Sequence, residues 1–588
     1  MPATKRTKIV CTIGPASDQV ETLEKMIDAG MNVARLNFSH GSHPEHLQKI
    51  KNIRQAAKNK NATIGIMLDT KGPEIRTHKM ATPVVNINKG DVVRVAMQEV
   101  AGTNEKFSVT YEGLINDVKV GMSILLDDGA IILQVTEIDE ENQEIVTKAL
   151  NTGVLKDNKG VNVPGASISL PGLTQKDRDD IRFGLENGIN FIAASFVRTT
   201  SDVLEIKALL DEYDAHHVQI IPKIENQEGV DNLKEIIDIT DGMMVARGDL
   251  GVEVPVEEVP IIQKEIIRLC NLAGKPVITA THMLESMQEH PFPSRAEASD
   301  VANAIYDGSD AVMLSGESAA GQYPVEAVQT MANICVRTEI ALMETDAYQT
   351  LSHNKYDTTE AIGQSVQHTA KNLGIKTIVA TTESGYTARM ISKYRPKADI
   401  IAFTSDERTA HNLTLAWGVV PYVADIPAST DEMFNVSTMK TLENGFAKEG
   451  DLIIITAGVP LGESGTTNIM KIQMIGSKLV SGQGVGKSTV VGKAIVAHSA
   501  EEANEKMVEG HILVAETTDK DYLPAIEKAS AIVTEQGGLT SHAAVVGIAM
   551  GIPVIVSAEG IVDVIEQGEI ITVDSRRGNV YRGSTATI

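Results

Sequence analysis

Short apolar runs with β-strand character alternate with amphipathic helical stretches through the first half of the chain. Apart from one gap, the runs begin 24 to 35 residues apart, which is the length of one βα unit. Eight successive βα units predict a (β/α)8 TIM barrel, an α/β fold, over residues 1–70 and 171–345. The eight runs are Lys8–Ile13, Asn32–Phe38, Thr63–Leu68, Phe191–Phe196, Val218–Glu225, Met243–Asp249, Pro276–Thr281 and Ala311–Ser315.

The gap, from Lys71 to about Pro171, follows a different pattern. It lacks helical periodicity and shows alternating β runs separated by Gly/Asp turns. This pattern predicts a small β-barrel domain, residues 71–170, inserted after the third strand. Gly72-Pro73 and Pro171-Gly172 flank the insertion as hinges, so we expect a lid over the catalytic end of the larger barrel. The turns are Lys89-Gly90-Asp91, Asp127-Asp128-Gly129 and Asn158-Lys159-Gly160.

After about Thr345 the alternation of strands and helices begins again. It predicts a separate α/β regulatory domain, residues 346–475, followed by a polar, Gly-rich linker from Ser477 to Ser488. The residues after the linker predict another compact α/β unit, and we assign 476–588 to this extra domain. The strands expected in the regulatory domain are Ile378–Ala380, Ile400–Phe403, Val419–Val423 and Leu452–Thr456.

Two motifs carry most of the candidate chemistry, Lys223-Ile224-Glu225-Asn226 and Arg247-Gly248-Asp249-Leu250-Gly251, and each closes a predicted buried strand. Side chains alternate along a strand, so Lys223 and Glu225 point to the same side. If the two strands are neighbours, their backbones lie about 4.8 Å apart, and Glu225 and Asp249 can share one Mg²⁺ that keeps waters and takes substrate oxygens. A lysine beside that ion suits a reaction in which negative charge moves on a phosphate or an enolate.

Other polar side chains follow neighbouring strands. Arg35, Asn37 and Ser39 are spaced two apart and share one face of the second strand. Arg35 suits a bidentate phosphate clamp. Asn37, Ser39, Asp69 and Thr70 offer hard oxygens from adjacent strand ends, where barrel enzymes place their sites.

Composition and charge narrow the class of protein. The chain has 588 residues, 42 % of them apolar, which suits roughly three or four domains. The formal net charge is −25 and no long basic run occurs, so we expect neither nucleic acid nor anionic membrane as a partner. There is no signal peptide and no long apolar run, so a cytoplasmic location is expected. Cys11, Cys270 and Cys335 lie far apart in apolar segments, which predicts inert buried thiols.

Six motifs, taken in order and with the β insertion in place, resemble the pyruvate kinase family over roughly residues 1–475. The residues after 475 resemble the mobile phosphohistidine domain of phosphoenolpyruvate-utilising enzymes. The six motifs are Met31–Gly41, Leu68–Arg76, Lys223–Asn226, Ala246–Asp249, Thr281–Met287 and Leu314–Glu317.

The resemblance implies that phosphoenolpyruvate and ADP react to give pyruvate and ATP in glycolysis, with Mg²⁺ and K⁺ as cofactors, in a homotetramer. Such a transfer needs positioning and charge neutralisation more than covalent help. The implied residues are Lys223, Thr281 and Arg35 as catalytic; Arg35, Lys223, Gly248, Asp249 and Thr281 as substrate-binding; Asn37, Phe38, Ser39, His40, Arg76 and Lys159 as nucleotide-binding; Glu225 and Asp249 for Mg²⁺; and Asn37, Ser39, Asp69 and Thr70 for K⁺.

Some of these roles have a physical argument of their own. Gly248 lets backbone N–H groups approach a substrate carboxylate. A hydroxyl is too weak an acid to protonate an enolate unaided, so we expect Thr281 to work through a water-relayed path, with Ser315 as a further member. Glu74 occupies the position that accompanies K⁺ dependence in the family. Lys159 is alternatively an ordinary turn lysine.

The segment Thr381–Thr387 follows a predicted strand and precedes a helix. Hydroxyls and free N–H groups at a helix N-terminus form an anion site, although a hydroxyl-rich loop is also an ordinary helix cap. The resemblance implies a phosphorylated allosteric effector, a sugar phosphate or AMP. The implied contacts are Thr381, Thr382, Ser384, Gly385 and Thr387.

Two further motifs imitate known sites. Gly482–Ser488 looks like a phosphate-binding P-loop, but Ser481 stands where that motif needs Gly, so a flexible linker is favoured. His542 occupies the phosphohistidine position of Gly537–Ala544. The Arg expected shortly downstream is absent and no domain that would charge the histidine is recognisable, so a structural or regulatory remnant is favoured.

Two other functions remain open at this point. One is a phosphoenolpyruvate synthase-like phosphotransferase that works through His542 and forms AMP. The other is a metabolite-binding regulator on an inactive barrel, which would require the loss of Lys223, Glu225 or Asp249; all three are present.

Overall fold

The computed structural model describes residues 5–345, 357–425, 429–459, 465–475 and 478–583. Its contacts divide the chain into two compact units. The first comprises Met1–Asp357, Glu383–Arg395 and Thr404–Ala424, and the second comprises Thr358–Thr382, Pro396–Phe403 and Asp425–Ile588. The predicted domain starts at 346 and 476 lie outside the described residues.

Eight parallel strands close into a barrel in the first unit, which confirms the predicted fold class. Once the insertion is set aside, neighbours around the barrel are also neighbours along the chain, as consecutive right-handed βα units require. The strands are β1 (Lys8–Thr12), β2 (Val33–Asn37) and β3 (Gly65–Asp69), and after the insertion β12 (Phe191–Ala194), β13 (Gln219–Ile224), β14 (Met243–Ala246), β15 (Val277–Ala280) and β16 (Ala311–Leu314).

The barrel strands are buried on both faces, which explains their continuous apolar runs. Along β1, Val10 packs inside the barrel and Ile9 packs outward into the cluster that includes helix residues, as strand alternation requires. The helices of this part are α1 (Val20–Ala29), α2 (His43–Asn59), α4 (Gln175–Glu186), α5 (Thr200–Glu212), α6 (Gln227–Asp231), α7 (Leu233–Ile239), α8 (Arg247–Glu253), α9 (Val259–Ala273), α10 (Arg295–Asp307), α11 (Gly316–Ala319) and α12 (Pro324–Thr345).

Several barrel strands end one or two residues before the predicted end, and β14 ends three residues before it. The expected strand over Met243–Asp249 stops at Ala246, and Arg247 begins α8 instead. A strand in a closed barrel is buried on both faces, so Arg247 and Asp249 could not continue it without burying their charges. Asp249 therefore projects from a helix, not from a strand.

The inserted domain is all-β apart from the short helix α3 (Leu114–Asp117). A six-stranded sheet and a two-stranded sheet share one apolar core that includes Val95, Phe107 and Leu133. The strands are β4 (Val85–Ile87), β5 (Val92–Ala96), β6 (Lys106–Ser108), β7 (Ser123–Leu126), β8 (Ile131–Asp139), β9 (Glu144–Ala149), β10 (Gly153–Leu155) and β11 (Val161–Asn162).

The second unit begins with the core of an α/β domain. β17 (Thr377–Thr381) pairs in parallel with β18 (Asp399–Thr404) and with β20 (Leu452–Ala457), and β21 (Ile469–Met474) runs antiparallel to β20. Helices α13 (Thr358–Leu373) and α16 (Thr430–Glu443) accompany these strands. The intervening α14 (Tyr386–Ser392), α15 (Glu407–Asn412) and β19 (Val419–Val423) fall in the first unit.

The last part of the second unit is built on an eight-stranded mixed sheet in the order β22-β29-β28-β24-β25-β26-β27-β23. Its elements are β22 (Lys478–Ser481), β23 (Gln483–Val485), β24 (Thr489–Ala497), α17 (Ala500–Lys506), β25 (Ile512–Ala515), α18 (Leu523–Ile526), β26 (Ala531–Thr534), α19 (His542–Met550), β27 (Val554–Val556), α20 (Ile561–Val564), β28 (Ile570–Asp574) and β29 (Asn579–Arg582).

The predicted linker from Ser477 to Ser488 is wrong over the residues that the structure describes. Lys478–Ser481 and Gln483–Val485 are strands that pair with β29 and β27. The glycines serve close packing, because a methyl group on Gly484 would overlap the carbonyl oxygen of Ser575. The Gly-rich composition that suggested flexibility therefore reflects the tight approach of two backbones.

The predicted buried thiols are confirmed, since Cys11, Cys270 and Cys335 are all unpaired and buried. Burial raises the pKa of each of the three thiols above its usual value, which keeps them protonated and unreactive. Among the residues that the structure describes, no helix combines the length and apolar character needed to cross a membrane.

Candidate active site

The two motifs singled out in the sequence meet at the carboxyl ends of neighbouring strands. β13 and β14 pair in parallel, with Lys223 opposite Met244. Lys223 lies near the end of β13 and Glu225 directly follows it, while Asp249 lies in the first turn of the helix that follows β14. The side chain of Lys223 is 12 % exposed and that of Glu225 is 1 % exposed.

Lys223 is surrounded by oxygen atoms. Its Nζ lies 2.9 Å from Glu225 Oε1 and 3.3 Å from Asp69 Oδ1, and it donates a 2.9 Å hydrogen bond to Ser195 Oγ. Ser195 in turn donates to the carbonyl oxygen of Thr70 at 2.7 Å. The ammonium group is thus held from three neighbouring strand ends.

Asp69 joins this cluster to Arg35. Arg35 Nε lies 2.6 Å from Asp69 Oδ2, and Arg35 Nη1 donates to Thr12 Oγ1 at 2.8 Å. The four charged side chains therefore form a row, Arg35–Asp69–Lys223–Glu225, in which the signs alternate. We call this row the charge row.

Burial and the charge row shift three pKa values. Burial acts against the charge on Lys223, but Asp69 and Glu225 outweigh it and raise the pKa of the ammonium group. Burial also acts against ionisation of Asp69, but Arg35 and Lys223 bring its pKa below the usual value. For Glu225 burial prevails and raises the pKa to about 7, with Lys223 opposing the rise and Asp249 adding to it.

Glu225 fits a role as a cation ligand. Its Oε2 accepts a 2.6 Å hydrogen bond from the Phe196 N–H. Its Oε1 is buried and, within the described residues, accepts no well-aligned hydrogen bond despite the nearby Lys223. Burial acts against the ionised form of this carboxyl and raises its pKa, and a bound divalent ion would favour that form.

Asp249 supplies the second oxygen donor. Its charge raises the pKa values of both Glu225 and Lys223, so it lies close enough to act on them electrostatically. Within the described ranges, no cluster of three or more His, Cys, Asp and Glu side chains could hold a metal ion. A Mg²⁺ at this pair would complete its shell with water and substrate oxygens, which is its usual behaviour.

The structure brings Gly248 and Thr281 together. The Gly248 N–H donates to Thr281 Oγ1 at 2.8 Å, so this amide is already engaged. Ser315 follows β16, and its N–H donates to Glu317 Oε2 at 2.7 Å.

The residues predicted to bind K⁺ lie at or just beyond the carboxyl ends of β2 and β3. Asn37 pairs with Asp69 across these strands, and Thr70 follows Asp69. Asn37 Oδ1 accepts a 3.0 Å hydrogen bond from the Ser39 N–H. Asn37 and Asp69 are thus neighbours at the carboxyl ends of β2 and β3, while the Thr70 hydroxyl accepts a hydrogen bond from the Ser195 N–H at 3.1 Å.

Phe38 and His40 hold the loop after β2. The Phe38 ring is buried and stacks on the His46 ring with 3.9 Å between centroids, so it packs in the protein interior. Lys176 Nζ donates to the Phe38 carbonyl oxygen at 2.7 Å, and His46 Nε2 lies 2.9 Å from the His40 carbonyl oxygen.

Arg76 and Lys159 line one cleft of about 450 Å³ together with Asp249. Arg76 Nε lies 2.7 Å from Glu74 Oε2, and Lys159 Nζ lies 2.8 Å from Asp127 Oδ1. Both cations extend from the inserted domain or its hinge to the catalytic end of the barrel.

The predicted effector loop is split between the two units. Thr381 and Thr382 belong to the second unit, where Thr381 Oγ1 lies 3.4 Å from Ser437 Oγ. Ser384, Gly385 and Thr387 belong to the first unit. Gly385 has a φ of 78°, the left-handed conformation that favours glycine before a helix.

His542 begins α19 in the second unit, with its Nδ1 3.1 Å from Thr518 Oγ1. A histidine that carries phosphate needs cationic or N–H donors for the phosphate oxygens. The hydrogen bond described for this imidazole is to a hydroxyl. His542 is also the first residue of α19, where backbone N–H groups have no intrahelical partner.

Sequence reasoning missed several residues of the cluster. Ser195, Thr12 and the Phe196 amide all bind members of the charge row. Ser195 and Phe196 follow β12 directly, and Thr12 ends β1. Their position at the carboxyl ends of barrel strands was the signal that could have identified them.

Three family models match the chain. "Pyruvate kinase, barrel domain" matches residues 4–328, "Pyruvate kinase, alpha/beta domain" matches 360–473, and "PEP-utilising enzyme, mobile domain" matches 507–578. The first alone covers more than half of the chain.

Similar proteins cover the whole chain. A pyruvate kinase of Geobacillus stearothermophilus is 58 % identical over 585 residues, which are 99 % of this chain and 100 % of that protein. A pyruvate kinase of Bacillus licheniformis is 57 % identical with the same coverage. The crystal structure of a pyruvate kinase from Cryptosporidium parvum superposes with a TM-score of 0.75 at 40 % identity, covering 80 % of this chain and 96 % of the other.

We expect Glu225→Gln to weaken the binding of a divalent cation about tenfold or more, because changes next to a metal site already cost about 10–100-fold in affinity. Electron paramagnetic resonance of free Mn²⁺ in a titration of the full chain measures this. The control is Glu235→Gln, at an exposed position of α7. Equal Mn²⁺ affinity in Glu225→Gln and the unchanged protein would contradict the assignment.

Proposed function

The chain belongs to the pyruvate kinase family and is a phosphotransferase, and from that premise we propose that it transfers the phosphoryl group of phosphoenolpyruvate to ADP, giving ATP and pyruvate in glycolysis. The observation that carries this proposal is the position of Lys223 between Glu225 and Asp69, with Asp249 acting on it from the helix that follows the next strand. A fixed ammonium group beside a pair of metal-binding carboxylates suits a reaction that moves negative charge from phosphate to enolate.

We propose that Glu225 and Asp249 hold Mg²⁺. The buried Oε1 of Glu225 and its raised pKa support this assignment. When bound, the ion draws together the oxygens of the substrate and neutralises charge on the phosphoryl group. Lys223 contributes a positive charge that stays in place as the enolate forms.

Arg35 is proposed as the clamp for the phosphoryl group. Its bonds to Asp69 and Thr12 fix the guanidinium plane and use two of its five N–H donors. The other donors suit planar, bidentate contact with phosphate. Arg76 and Lys159 are proposed to bind the nucleotide, because both line the cleft that also contains Asp249. The loop Asn37–His40 is proposed to contact the nucleotide on the family resemblance; Asn37 and His40 line a separate pocket.

We propose that K⁺ binds among Asn37, Ser39, Asp69 and Thr70. These residues supply carboxylate, amide, hydroxyl and carbonyl oxygens, the donors that hard cations prefer. Asp69 also pairs with Arg35 and Lys223, so a cation bound to Asp69 would change the electrostatic interactions within the charge row. Glu74 pairs with Arg76 in the cleft, and it occupies the position that accompanies K⁺ dependence in the family.

For the last step we propose a water-relayed path to the enolate carbon. Thr281 Oγ1 donates to the Ala280 carbonyl oxygen at 2.7 Å and accepts from the Gly248 N–H at 2.8 Å. A hydroxyl has two lone pairs, so the second can accept a hydrogen bond from a water. Such a water is held where it can deliver its proton, and Ser315 is proposed as a further member.

Regulation and assembly are proposed from the family. A phosphorylated effector, a sugar phosphate or AMP, would bind the loop of Thr381, Thr382, Ser384, Gly385 and Thr387, and the enzyme would be a cytoplasmic homotetramer. The domains are proposed as a barrel (1–70 and 171–345), a lid (71–170), a regulatory domain (346–475) and an extra domain (476–588).

We expect Lys223→Met to lower kcat about 10²–10³-fold or more, the scale for losing a preorganised electrostatic group. The measurement is ATP formation from phosphoenolpyruvate and ADP in the presence of Mg²⁺ and K⁺. Lys51→Met, at an exposed site on α2, is the control and should keep full activity. Near-normal turnover of Lys223→Met would refute the role of this ammonium group.

K⁺ should activate the reaction, since the proposed oxygen site requires a monovalent cation to balance its donors. The same assay in tetramethylammonium buffer, free of K⁺ and Na⁺, should show little activity that returns on titration with KCl. Full activity without either ion would contradict the proposal of a K⁺ site, but it would not contradict the proposed phosphoryl transfer.

The effector proposal predicts that AMP or a sugar phosphate raises the rate at low phosphoenolpyruvate concentration. Ser384→Asp should abolish this activation, because the added carboxylate repels the phosphate. Ser365→Asp, at an exposed position of α13, controls for a surface charge and should respond normally. Activation that persists in Ser384→Asp would place the effector elsewhere.

A further inference from the structure

The turn that carries Thr281 has an unfavourable backbone conformation. Thr281 has a φ of 65° and His282 has a φ of 55°. The left-handed region is unusual for any residue other than Gly, and for a β-branched residue it is a genuine outlier. Such a conformation persists only where the surrounding structure enforces it, and it clusters at functional sites.

Arg247 holds this turn through its backbone carbonyl groups. Arg247 Nη2 donates to the Thr281 carbonyl oxygen at 2.6 Å, and Nε donates to the Ala280 carbonyl oxygen at 3.1 Å. The Ala280 carbonyl is also the acceptor for the Thr281 hydroxyl. One guanidinium plane therefore fixes the backbone on both sides of the Thr281 Cα atom.

Asp300 holds Arg247 in turn. Its Oδ1 accepts from Arg247 Nη1 at 2.8 Å, and its Oδ2 lies 2.8 Å from Nη2. Arg247 is 11 % exposed, so these bonds are made largely away from water. A planar fork with fixed donor directions can satisfy two carbonyls and a carboxylate at once, which the flexible ammonium group of Lys cannot.

The backbone next to Arg247 completes the arrangement. Gly248 follows Arg247 and donates its N–H to Thr281 Oγ1 at 2.8 Å. The start of α8 is thus bonded to the turn in two ways, through the Arg247 side chain and through the Gly248 N–H. Asp249 comes next, so the residues that fix Thr281 and a proposed metal ligand lie in one helical turn.

We propose that Arg247 is a positioning residue that aims the Thr281 hydroxyl, and the water it holds, at the enolate carbon. This inference rests on the proposed function. In the step concerned, a proton passes from the water to C3 of the enolate, a C–H bond forms, and solvent returns a proton to the water. Arg247 acts through the strained turn, by its bonds to the Ala280 and Thr281 carbonyl oxygens.

The test is Arg247→Lys in the full chain, which keeps the charge and loses the fork. Two rates are measured: kcat for ATP formation, and exchange of the methyl protons of pyruvate in D₂O followed by NMR, which reports the proton step in reverse. Both should fall about tenfold or more, because misplacement of a catalytic group by about 1 Å can cost 10²-fold. KM for phosphoenolpyruvate should change less than about threefold.

Arg268→Lys is the matched control, since Arg268 lies at a 50 % exposed position of α9 and pairs with Glu265. It should retain both rates. Asp300→Asn keeps an acceptor for Arg247 but removes the charge, and should give an intermediate loss; it carries the test if Arg247→Lys does not fold.

Normal proton exchange in a folded Arg247→Lys, or in Asp300→Asn when only that variant folds, would overturn the inference. The inference would also be overturned if kcat and the exchange rate fall only in proportion to the fraction of folded protein measured in a melting curve. An unchanged protein that forms no ATP would instead refute the proposed function, so the two failures are distinguishable.

Discussion

The catalytic end of this protein depends on the alternation of sign along the buried charge row. Arg35 and Lys223 flank Asp69, and Glu225 follows Lys223, with the two carboxylates each 1 % exposed. A charge removed from water is stable only beside an opposite one, and removal of one partner of a buried pair costs about 3–5 kcal/mol. Each group therefore fixes the protonation state and the position of its neighbours. A lysine that remains charged in a largely buried site needs carboxylates of this kind beside it.

The barrel supplies the spacing of that row. Arg35 comes from β2, Asp69 from β3 and Lys223 from β13, and Ser195 follows β12, which lies between β3 and β13. Four consecutive strands thus each contribute one group. Side chains on a hydrogen-bonded sheet are held more rigidly than side chains on loops, which suits a reaction that depends on electrostatic preorganisation.

Strand positions were predictable from the sequence because they depend on burial alone. The eight apolar runs became the eight barrel strands, and Lys223 and Glu225 came together because alternation and parallel pairing leave no other arrangement. The end of β14 was misjudged, since apolar residues give no sign of where a helix begins. The linker was misjudged because glycine is frequent both in flexible segments and where two backbones pack closely, and Gly484 belongs to the second case. Engagement of the Gly248 amide by Thr281 depends on a turn conformation that no local pattern reveals.

The eight-stranded sheet near the C-terminus takes its two outermost strands from the same short stretch of chain. β22 stands at one end of the hydrogen-bonded strand order and β23 at the other, with six strands between them in that order. Only Gly482 separates them along the chain, so the two ends of the order meet at this residue. The stretch covers two strand margins, that of β29 through β22 and that of β27 through β23, where unpaired N–H and C=O groups invite association with other chains. A fragment that starts at Thr489 would expose both margins at once and be prone to aggregation, so an autonomous version of this domain has to begin before Lys478.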